Sequence, residues 1–479
     1  MPVVAVVLAR CLRAPLRRRQ PRAPPAHTQK QTGLETADFA PHGLWTQESL
    51  LSQLDSIARC GFNALRVPFS CELALNLDAR TPTNIDYGAN PQLKGLSSGA
   101  VLDALVAECA RRGILILLDM HRMAAAGDIP ELWYDGKYPE SAVLTAWRLM
   151  ARRYSPCWNV VGADLNNEPH GGATWAPGAG DVATNWRAAA ERLGKAVLEA
   201  NPRLLIFVEG VERCTSTGDG SWWGGHLGDA AVDGGSVALP VEGKLVLSPH
   251  VYGPDVHEQA YFGSANFEAF LPKIWNEHFG FAVDPKQGAK RLGPAVIPGE
   301  WGGYARPGTK DAVWQETIAR WMGGDESGVE SSFHWCWQCN SGDTGECLDR
   351  ESERESERDG VERAVWFVPG PSTLPFGARL RNKNRARARF PLCFFSSLSS
   401  PSPTSRTSLK GGIVAEDWHT IQEHKLANVR RAHPLPTPFP RLACAPADAS
   451  VTVANCDLGP MADGVPDPPP RMCGGCAIA

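Results

Sequence analysis

No uninterrupted apolar stretch in the 479 residues reaches the ~18 needed to cross a bilayer, so the sequence predicts no helical membrane span. A surplus of positive charge is also missing. Lys and Arg number 48 against 52 Asp and Glu, giving a net charge of −4 and a pI near 6.3, which leaves no general field for a nucleic acid. Two Arg-rich runs, "CLRAPLRRRQPR" and "RLRNKNRARARF", are local exceptions. Both lie in Pro-rich or Ser-rich surroundings without an apolar period, and they read as solvated or targeting segments. The 14 cysteines have no regular spacing, so they fix neither a disulfide framework nor a redox compartment. "CGGC" at Cys473 to Cys476 has no second pair near it and sits in a Pro/Gly-rich tail, which argues against a metal or redox half-site. A clean secretory leader is absent too, because "MPVVAVVLA" lacks a preceding basic segment and runs straight into arginines.

What is present is enough apolar material, 43% of the chain, for one large core or two ordinary ones. From about residue 45 to 340, amphipathic helices alternate with short apolar strands. The helices are "ESLLSQLDSIARCG", "GAVLDALVAECARRG", "ESAVLTAWRLMARRY", "NWRAAAERLGKAVLEANP", "FEAFLPKIWNEHFG" and "DAVWQETIARWMGG", with apolar residues at three-to-four spacing. The strands are "FNALRVPF", "GILILLDM", "WNVVGADLN", "RLLIFVEG", "KLVLSPHVY", "PAVIPGE" and "SSFHWCW", runs of the kind covered on both faces. Such alternation predicts a parallel α/β sheet, and seven strands are one short of a closed (β/α)8 barrel.

Polar punctuation favours the barrel over an open sheet. Arg66 comes late in its strand, His121 ends the next, and Asn167 with Glu168 ends the third. His250 and Tyr252, then Glu300, then Trp335 and Trp337 end later ones. In a barrel these ends converge on one rim, the face that carries chemistry. Two facing carboxyls, one nucleophile and one acid/base, are what cleavage of a glycosidic bond requires. For Glu168 or Glu300 alone the plain account is a strand-end salt bridge; six polar strand ends in one register point instead to a site. Arg66 would favour the ionised form of the carboxylate it approaches, and His121, His250 and Tyr252 would supply hydrogen bonds. Among the 16 tryptophans, Trp45, Trp222, Trp223 and Trp301 lie in loops beside strand ends, where flat faces suit pyranose rings. Trp186 and Trp314, on helices, are expected in the core.

Together "GLETADFAPHGLW", "GFNALRVPFS", "LLDMHR", "LNNEPH", "WRAAAERLGKAVLEANPRLLIFVEG", "WWGG", "SPHVYGPDV", "PGEWGG" and "NSGDTG" resemble, in order and spacing, the endoglucanases of glycoside hydrolase family 5. The resemblance covers roughly residues 33 to 345 and resumes from about 412 to 432. It implies a (β/α)8 TIM barrel and a retaining double displacement without metal or cofactor. It also implies Glu168 as general acid/base, Glu300 as nucleophile, and Arg66, His121, Asn167, His250 and Tyr252 as the supporting shell. Trp335 becomes the aromatic floor under the scissile sugar, with Tyr87 and Trp45 as further substrate-binding residues. The implied activity is an endo-β-1,4-glucanase on cellulose or a related β-glucan, acting as a monomer, with neither nucleic acid nor membrane as partner. An extracellular location is expected from the family. A β-mannanase or mixed-linkage glucanase is the nearest rival among enzymes, and a catalytically silent carbohydrate-binding protein is the rival from another class.

Three departures bear on these expectations. Family members enter the "GLET" turn from a first strand, whereas "RQPRAPPAHTQKQT" here is Pro-rich and polar, so that strand is expected to be missing or degraded within an irregular segment 1–32. After "NSGDTG" the chain runs into "ECLDRESERESERDG", and the family pattern returns only at "GGIVAEDWHTIQEHKLANVRRA". Residues 346–411 therefore read as a disordered insertion between the last strand (ending barrel residues 33–345) and the last helix at 412–432. Gly-Glu-Cys is encodable by a stretch containing GTGAGT, and "PLCFFSSLSSPSPTS" is what a pyrimidine-rich tract translates to, so we read the segment as a retained intron; a genuine surface loop is the alternative. Finally, "WCWQCN" carries Gln338 and Cys339 where family members have an Asn-Pro step, which bears on contacts beyond the cleavage point. Residues 433–479 form a Pro-rich tail.

Overall fold

The computed structural model describes the main chain of residues 26–30 and all of 33–176, 180–283, 293–324, 327–329, 331–338, 412–414 and 420–433. Ten short strands form its sheet: β1 Ala26–Lys30, β2 Ala64–Ser70, β3 Leu115–Arg122, β4 Val160–Asp164, β5 Leu205–Val208, β6 Leu245–Leu247, β7 His250–Tyr252, β8 Ala295–Val296, β9 Glu300–Gly302 and β10 Ser331–Trp335. Every pairing between them is parallel. β6 and β7 are halves of one stave, interrupted at Ser248-Pro249; β8 and β9 are halves of the next, interrupted at Ile297-Pro298-Gly299. Proline has no N–H to give to a ladder, so each break falls where a proline stands. Because β6 pairs with β8 and β7 with β9, the sheet closes on itself as an eight-stave barrel.

The eighth stave corrects the expectation of a missing first strand. β1 pairs with β10 through Ala26 to Gln29 and with β2 through Thr28 to Lys30. Ladder bonds are main-chain bonds, so the polar sequence "AHTQK" serves once the proline run has ended at Pro25.

Helices cover the outside: α1 Leu50–Arg59, α2 Ser98–Arg111, α3 Glu140–Arg153, α4 Trp186–Ala200, α5 Leu271–His278, α6 Lys310–Gly323 and α7 Glu423–Ala432. Four begin on side-chain caps, with Ser49, Ser97, Asn185 and Thr309 each accepting a first-turn N–H, a contact worth about 1 kcal/mol apiece. α5 starts later than the apolar period predicts, at Leu271, with Pro272 at its start; proline is pre-organised for a first turn and unsuited to an interior.

Side chains alternate along each stave, and that alternation builds two layers. Leu65, Val67, Phe69, Ile116, Leu118 and Met120 point outward into the large core under the helices. Ala64, Leu117, Phe207, Val246 and Phe333 point inward and fill the barrel floor. Gly162 belongs to the same inner face: a Cβ there would lie 2.9 Å from both Leu117 Cδ1 and Phe207 Cε2, so its bareness makes room for Phe207.

After the segment expected as an insertion, which lies outside the described residues, the chain rejoins the barrel beside the point where it left. Ile413 N–H donates to Cys336 O at 3.0 Å and Val414 N–H to Trp337 O at 3.1 Å. α7 then packs along α6, burying Leu426, Val429 and Ala432. Closing a flexible connection costs about 0.6 kcal/mol per doubling of its length. Removing 346–411 shortens the link between 338 and 412 roughly tenfold, so the deletion chain should be about 2 kcal/mol more stable. Thermal unfolding should show the same cooperative transition a few degrees higher; a transition that broadens or drops would mean that the segment supports the barrel. Of the expected irregular segment 1–32, residues 1–25 and 31–32 also lie outside the described part, as do residues 434–479 of the expected tail 433–479.

Candidate active site

The inner face changes character two residues above the floor. Along β2 the inward position after Ala64 is Arg66; along β3, Leu117 is followed by Asp119 and His121. Gly162 is followed by Asp164, Phe207 by Glu209, and Val246, across the break, by His250. Strand periodicity therefore stacks a polar layer directly on the apolar floor.

Arg66 is its centre and is fully buried. Nε donates to Asp164 Oδ2 at 2.7 Å, Nη1 to Glu300 Oε1 at 2.8 Å, and Nη2 to Asn167 Oδ1 at 3.1 Å and Glu209 Oε1 at 3.0 Å. Nη1 also lies 2.8 Å from Asp119 Oδ2. Burial alone would lower the guanidinium pKa, but Asp119, Asp164, Glu300 and Glu209 outweigh it and hold the pKa well above the ordinary arginine value. Glu209 shifts the other way. Burial, reinforced by the Asp164 charge and opposed by Arg66, pushes its carboxyl well above the usual range.

Glu168 follows β4 and adopts φ 53°, a left-handed backbone uncommon for a residue with a side chain. Two contacts hold it there. Its N–H donates to Glu209 Oε2 at 2.8 Å, and its carbonyl lies 2.7 Å from His170 Nδ1. Gly224 faces the same spot, where a Cβ would fall 2.3 Å from Glu209 Oε2 and 3.3 Å from Glu168 Cα. The Glu168 carboxyl is met by Trp222 Nε1–H, which donates to Oε1 at 2.7 Å, and by His250 Nδ1 at 3.0 Å from the same oxygen. Glu300, which opens β9, accepts from Tyr252 Oη at 2.6 Å through its other oxygen. One oxygen of Glu168 and one of Glu300 lie within 4.8 Å of each other, with His250 between them.

Arg66, Asn167, Glu168, His250, Tyr252 and Glu300 are thus brought together in one hydrogen-bonded cluster. His121 joins through Asp119, its Nδ1 2.9 Å from Oδ2, and stacks on Trp335 with ring centres 5.7 Å apart. Trp335 packs with Tyr252. Trp45 and Tyr87 come together elsewhere, lining a depression of about 260 Å³ with Asn84 and Asp86. Trp301 is a correction: it is fully buried, and its Nε1–H donates to Ser332 Oγ at 2.9 Å. It follows Glu300 by one residue, and adjacent strand residues face opposite ways. Trp337 likewise enters the core against Phe62. Trp186 and Trp314 are fully buried, as expected for helix positions.

Asp119, Asp164 and Glu209 were not singled out from the sequence. Each is completely buried, and the available signal was an acidic residue two positions after an inward apolar one.

Two triplets with metal-ligand chemistry, Asp164/Glu209/His250 and Glu168/His250/Glu300, fall inside this cluster. Arg66 already supplies the cation there, at 2.7 Å from Asp164, 3.0 Å from Glu209 and 2.8 Å from Glu300. A third triplet, Asp219/His226/His278, lies outside it. Gly228 N–H donates to His226 Nδ1 at 3.0 Å. The neutral ring therefore carries its hydrogen on Nε2, the atom facing Asp219 at 3.6 Å, where it is a donor and not a ligand.

Residues 24–342 match the family model "Cellulase (glycosyl hydrolase family 5)". The chain is 40% identical over 347 residues to the major extracellular endoglucanase of Xanthomonas campestris, covering 71% of this chain and 67% of that protein. It is 39% identical over 318 residues to an endoglucanase of Paenibacillus polymyxa, covering 66% and 76%. Among solved structures, the catalytic domain of the Xanthomonas enzyme superposes with a TM-score of 0.64 at 32% identity, over 86% of this chain and 95% of that one. A cellotetraose complex of an endocellulase from Pyrococcus horikoshii superposes with a TM-score of 0.65 at 33% identity, over 85% and 92%. With its closed eight-stave barrel and the polar layer at the upper end of its strands, the chain belongs to glycosyl hydrolase family 5.

Proposed function

We propose that the protein is a retaining endo-β-1,4-glucanase in which Glu300 is the nucleophile and Glu168 the general acid/base. The observation that carries this reading is the approach of the two carboxyls, oxygen to oxygen within 4.8 Å. Retaining pairs stand ~5–5.5 Å apart and inverting pairs ~6.5–9.5 Å, because the latter leave room for a water.

Arg66 and Tyr252 both donate to Glu300, which favours the ionised form needed for attack. The carboxylate adds to the anomeric carbon as the bond to the leaving oxygen breaks, and Glu168 gives that oxygen its proton. Glu168, now a carboxylate, takes a proton from water as the hydroxide adds to the anomeric carbon and releases Glu300. Asn167 is placed for the sugar 2-hydroxyl. Its Oδ1 is held by Arg66, so Nδ2 is directed away from the guanidinium, and among the described residues that buried nitrogen has no acceptor. A bond to the 2-hydroxyl that strengthens toward the transition state supplies differential binding.

The substrate we assign is cellulose or a related β-glucan. Support comes from the endoglucanase relatives and from the cellotetraose bound by the Pyrococcus enzyme. An extracellular site of action is part of this reading, supported by the name of the Xanthomonas relative, a major extracellular endoglucanase.

The roles separate under one substitution. Glu168→Gln should reduce reducing-end release from carboxymethylcellulose by roughly 10²–10⁴-fold. It should slow formation of the glycosyl-enzyme from a dinitrophenyl cellobioside far less, since that leaving group needs little protonation. Equal losses on both substrates would contradict the assignment. Proton NMR of early cellopentaose products should show the β-anomer, as retention demands.

A further inference from the structure

Glu209 is completely buried, so no substrate can reach it, yet it touches three groups of the rim cluster. Oε1 accepts from Arg66 Nη2 at 3.0 Å and lies 3.0 Å from His250 Nε2, while Oε2 accepts the Glu168 N–H at 2.8 Å.

The contact with Glu168 takes over where the ladder stops. The β4–β5 register ends with Asp164 facing Phe207, and Leu165 N–H still reaches Phe207 O at 3.2 Å. Three residues on, the chain has turned into the left-handed region at Glu168, φ 53°, and the N–H there meets a side chain. Such a backbone persists only where its surroundings over-determine it.

Glu209 is itself held from two sides. Its carbonyl accepts from the buried Trp186 Nε1–H at 2.9 Å. Its carboxyl lies against Gly224, at the place a Cβ would fill 2.3 Å from Oε2. Gly224 is tied to both neighbours, its N–H donating to Pro169 O at 3.2 Å and its carbonyl accepting from Gly210 N–H at 2.8 Å. The carboxyl is therefore clamped between the guanidinium and the main chain of Glu168.

Arg66 also donates to Glu300, through Nη1 at 2.8 Å. An unbroken chain of three hydrogen bonds thus runs from Glu300 through Arg66 and Glu209 to the Glu168 N–H. Resting on the reading of Glu168 as the acid/base, we propose that Glu209 is a positioning residue: its arm spans from Arg66 to the Glu168 main chain and sets where the proton donor stands relative to Glu300. An N–H donates to a carboxyl oxygen whether or not the group is ionised, so this role does not depend on the proton of Glu209. No bond of Glu209 is made or broken in the reaction.

The competing role is that of a counter-group for Arg66 alone, and two conservative variants separate them. Glu209→Asp keeps a carboxyl for Arg66 but is one methylene too short to span both contacts, and the charged guanidinium retains it. kcat on carboxymethylcellulose should fall roughly 10²-fold, the scale of a small misplacement, with KM unchanged. Formation of the glycosyl-enzyme from a dinitrophenyl cellobioside should stay near the parental rate, because that leaving group needs little protonation; this also shows that the variant is folded. Glu209→Gln keeps the length but must turn its NH2 toward either Arg66 or the Glu168 N–H. The guanidinium takes the oxygen, so the same selective loss should appear, roughly tenfold. A crystal structure of Glu209→Asp should show Glu168 outside the left-handed region.

Glu209→Asp matching the parent while Glu209→Gln loses equally on both substrates would reduce Glu209 to a counter-group and overturn the proposal. Equal losses on both substrates in both variants would make its role structural, and a raised KM with kcat unmoved would tie it to substrate binding; either overturns it. Should Glu209→Asp not fold, the isosteric Glu209→Gln decides by the same comparison of substrates. Glu168→Gln run in parallel keeps the two questions apart: if that variant shows no leaving-group dependence, the assignment of Glu168 fails, whatever the Glu209 variants do.

Discussion

Glu300→Gln should abolish turnover, with kcat on carboxymethylcellulose falling on the order of 10⁴-fold or more, because an amide cannot form the glycosyl-enzyme bond. The same variant should remain folded. Arg66 keeps three of its four carboxylates, and Tyr252 Oη, which donates to Glu300 Oε2 at 2.6 Å, still finds an oxygen if the amide sets one there. Cellotetraose should therefore bind the variant with an affinity measurable by calorimetry. Turnover by the parent chain that disappears in Glu300→Gln is the result that separates an enzyme from a silent carbohydrate binder. Binding without turnover in both chains would favour the silent binder. Activity surviving in Glu300→Gln would remove Glu300 from the reaction.

The second large effect concerns stability. Arg66→Met leaves Asp119, Asp164, Glu209 and Glu300 facing one another with no guanidinium among them. Breaking a buried ion pair by deleting one partner costs about 3–5 kcal/mol, and here one cation serves four carboxyls. We expect a loss at the upper end of that range at neutral pH, read as a drop in the urea midpoint. The sign of its pH dependence follows from linkage. Without Arg66 the clustered carboxyls bind protons more tightly in the folded than in the unfolded chain, so their repulsion weakens stability above the unfolded carboxyl pKa and is relieved as pH falls. The gap between Arg66→Met and the parent should narrow as pH falls from neutral toward the ordinary carboxyl range. A constant gap would place the loss in packing instead. Arg66→Lys should recover little, since one ammonium cannot reach partners spread over Nε, Nη1 and Nη2.

How much of this was legible in the sequence depends on where each residue stands relative to a strand end. Arg66, His121, Glu168, His250, Tyr252 and Glu300 punctuate apolar runs, so composition alone marks them. Asp119, Asp164 and Glu209 hide because the runs around them are apolar on the outward face as well, and a fully covered strand shows no alternation to reveal which way a residue points. Trp301 was misplaced for the same reason: one residue beyond Glu300, it faces the opposite side and fills the core. β1 was unreadable because nothing about "AHTQK" resembles a buried strand; its place is set by the ladders of β2 and β10 on either side. Trp222 was visible as a loop tryptophan. Its bond to Glu168 was not, because that contact spans 54 positions and depends on the loop after β5 folding back over the rim.

The return of the chain beside β10 also sets a schedule for synthesis. α7 packs along α6 and buries Leu426, Val429 and Ala432, yet it begins only at Glu423, long after β10 has ended at Trp335. A ribosome adding 5–20 residues per second needs roughly 4–17 s to travel from Gln338 to Glu423. Throughout that interval the nascent barrel has all its staves but lacks the helix that packs along α6, and the surface α7 later covers is open to a chaperone or to a neighbouring chain. For this protein, yield in a producing cell should respond to translation speed and chaperone supply more steeply than the stability of the finished barrel would suggest.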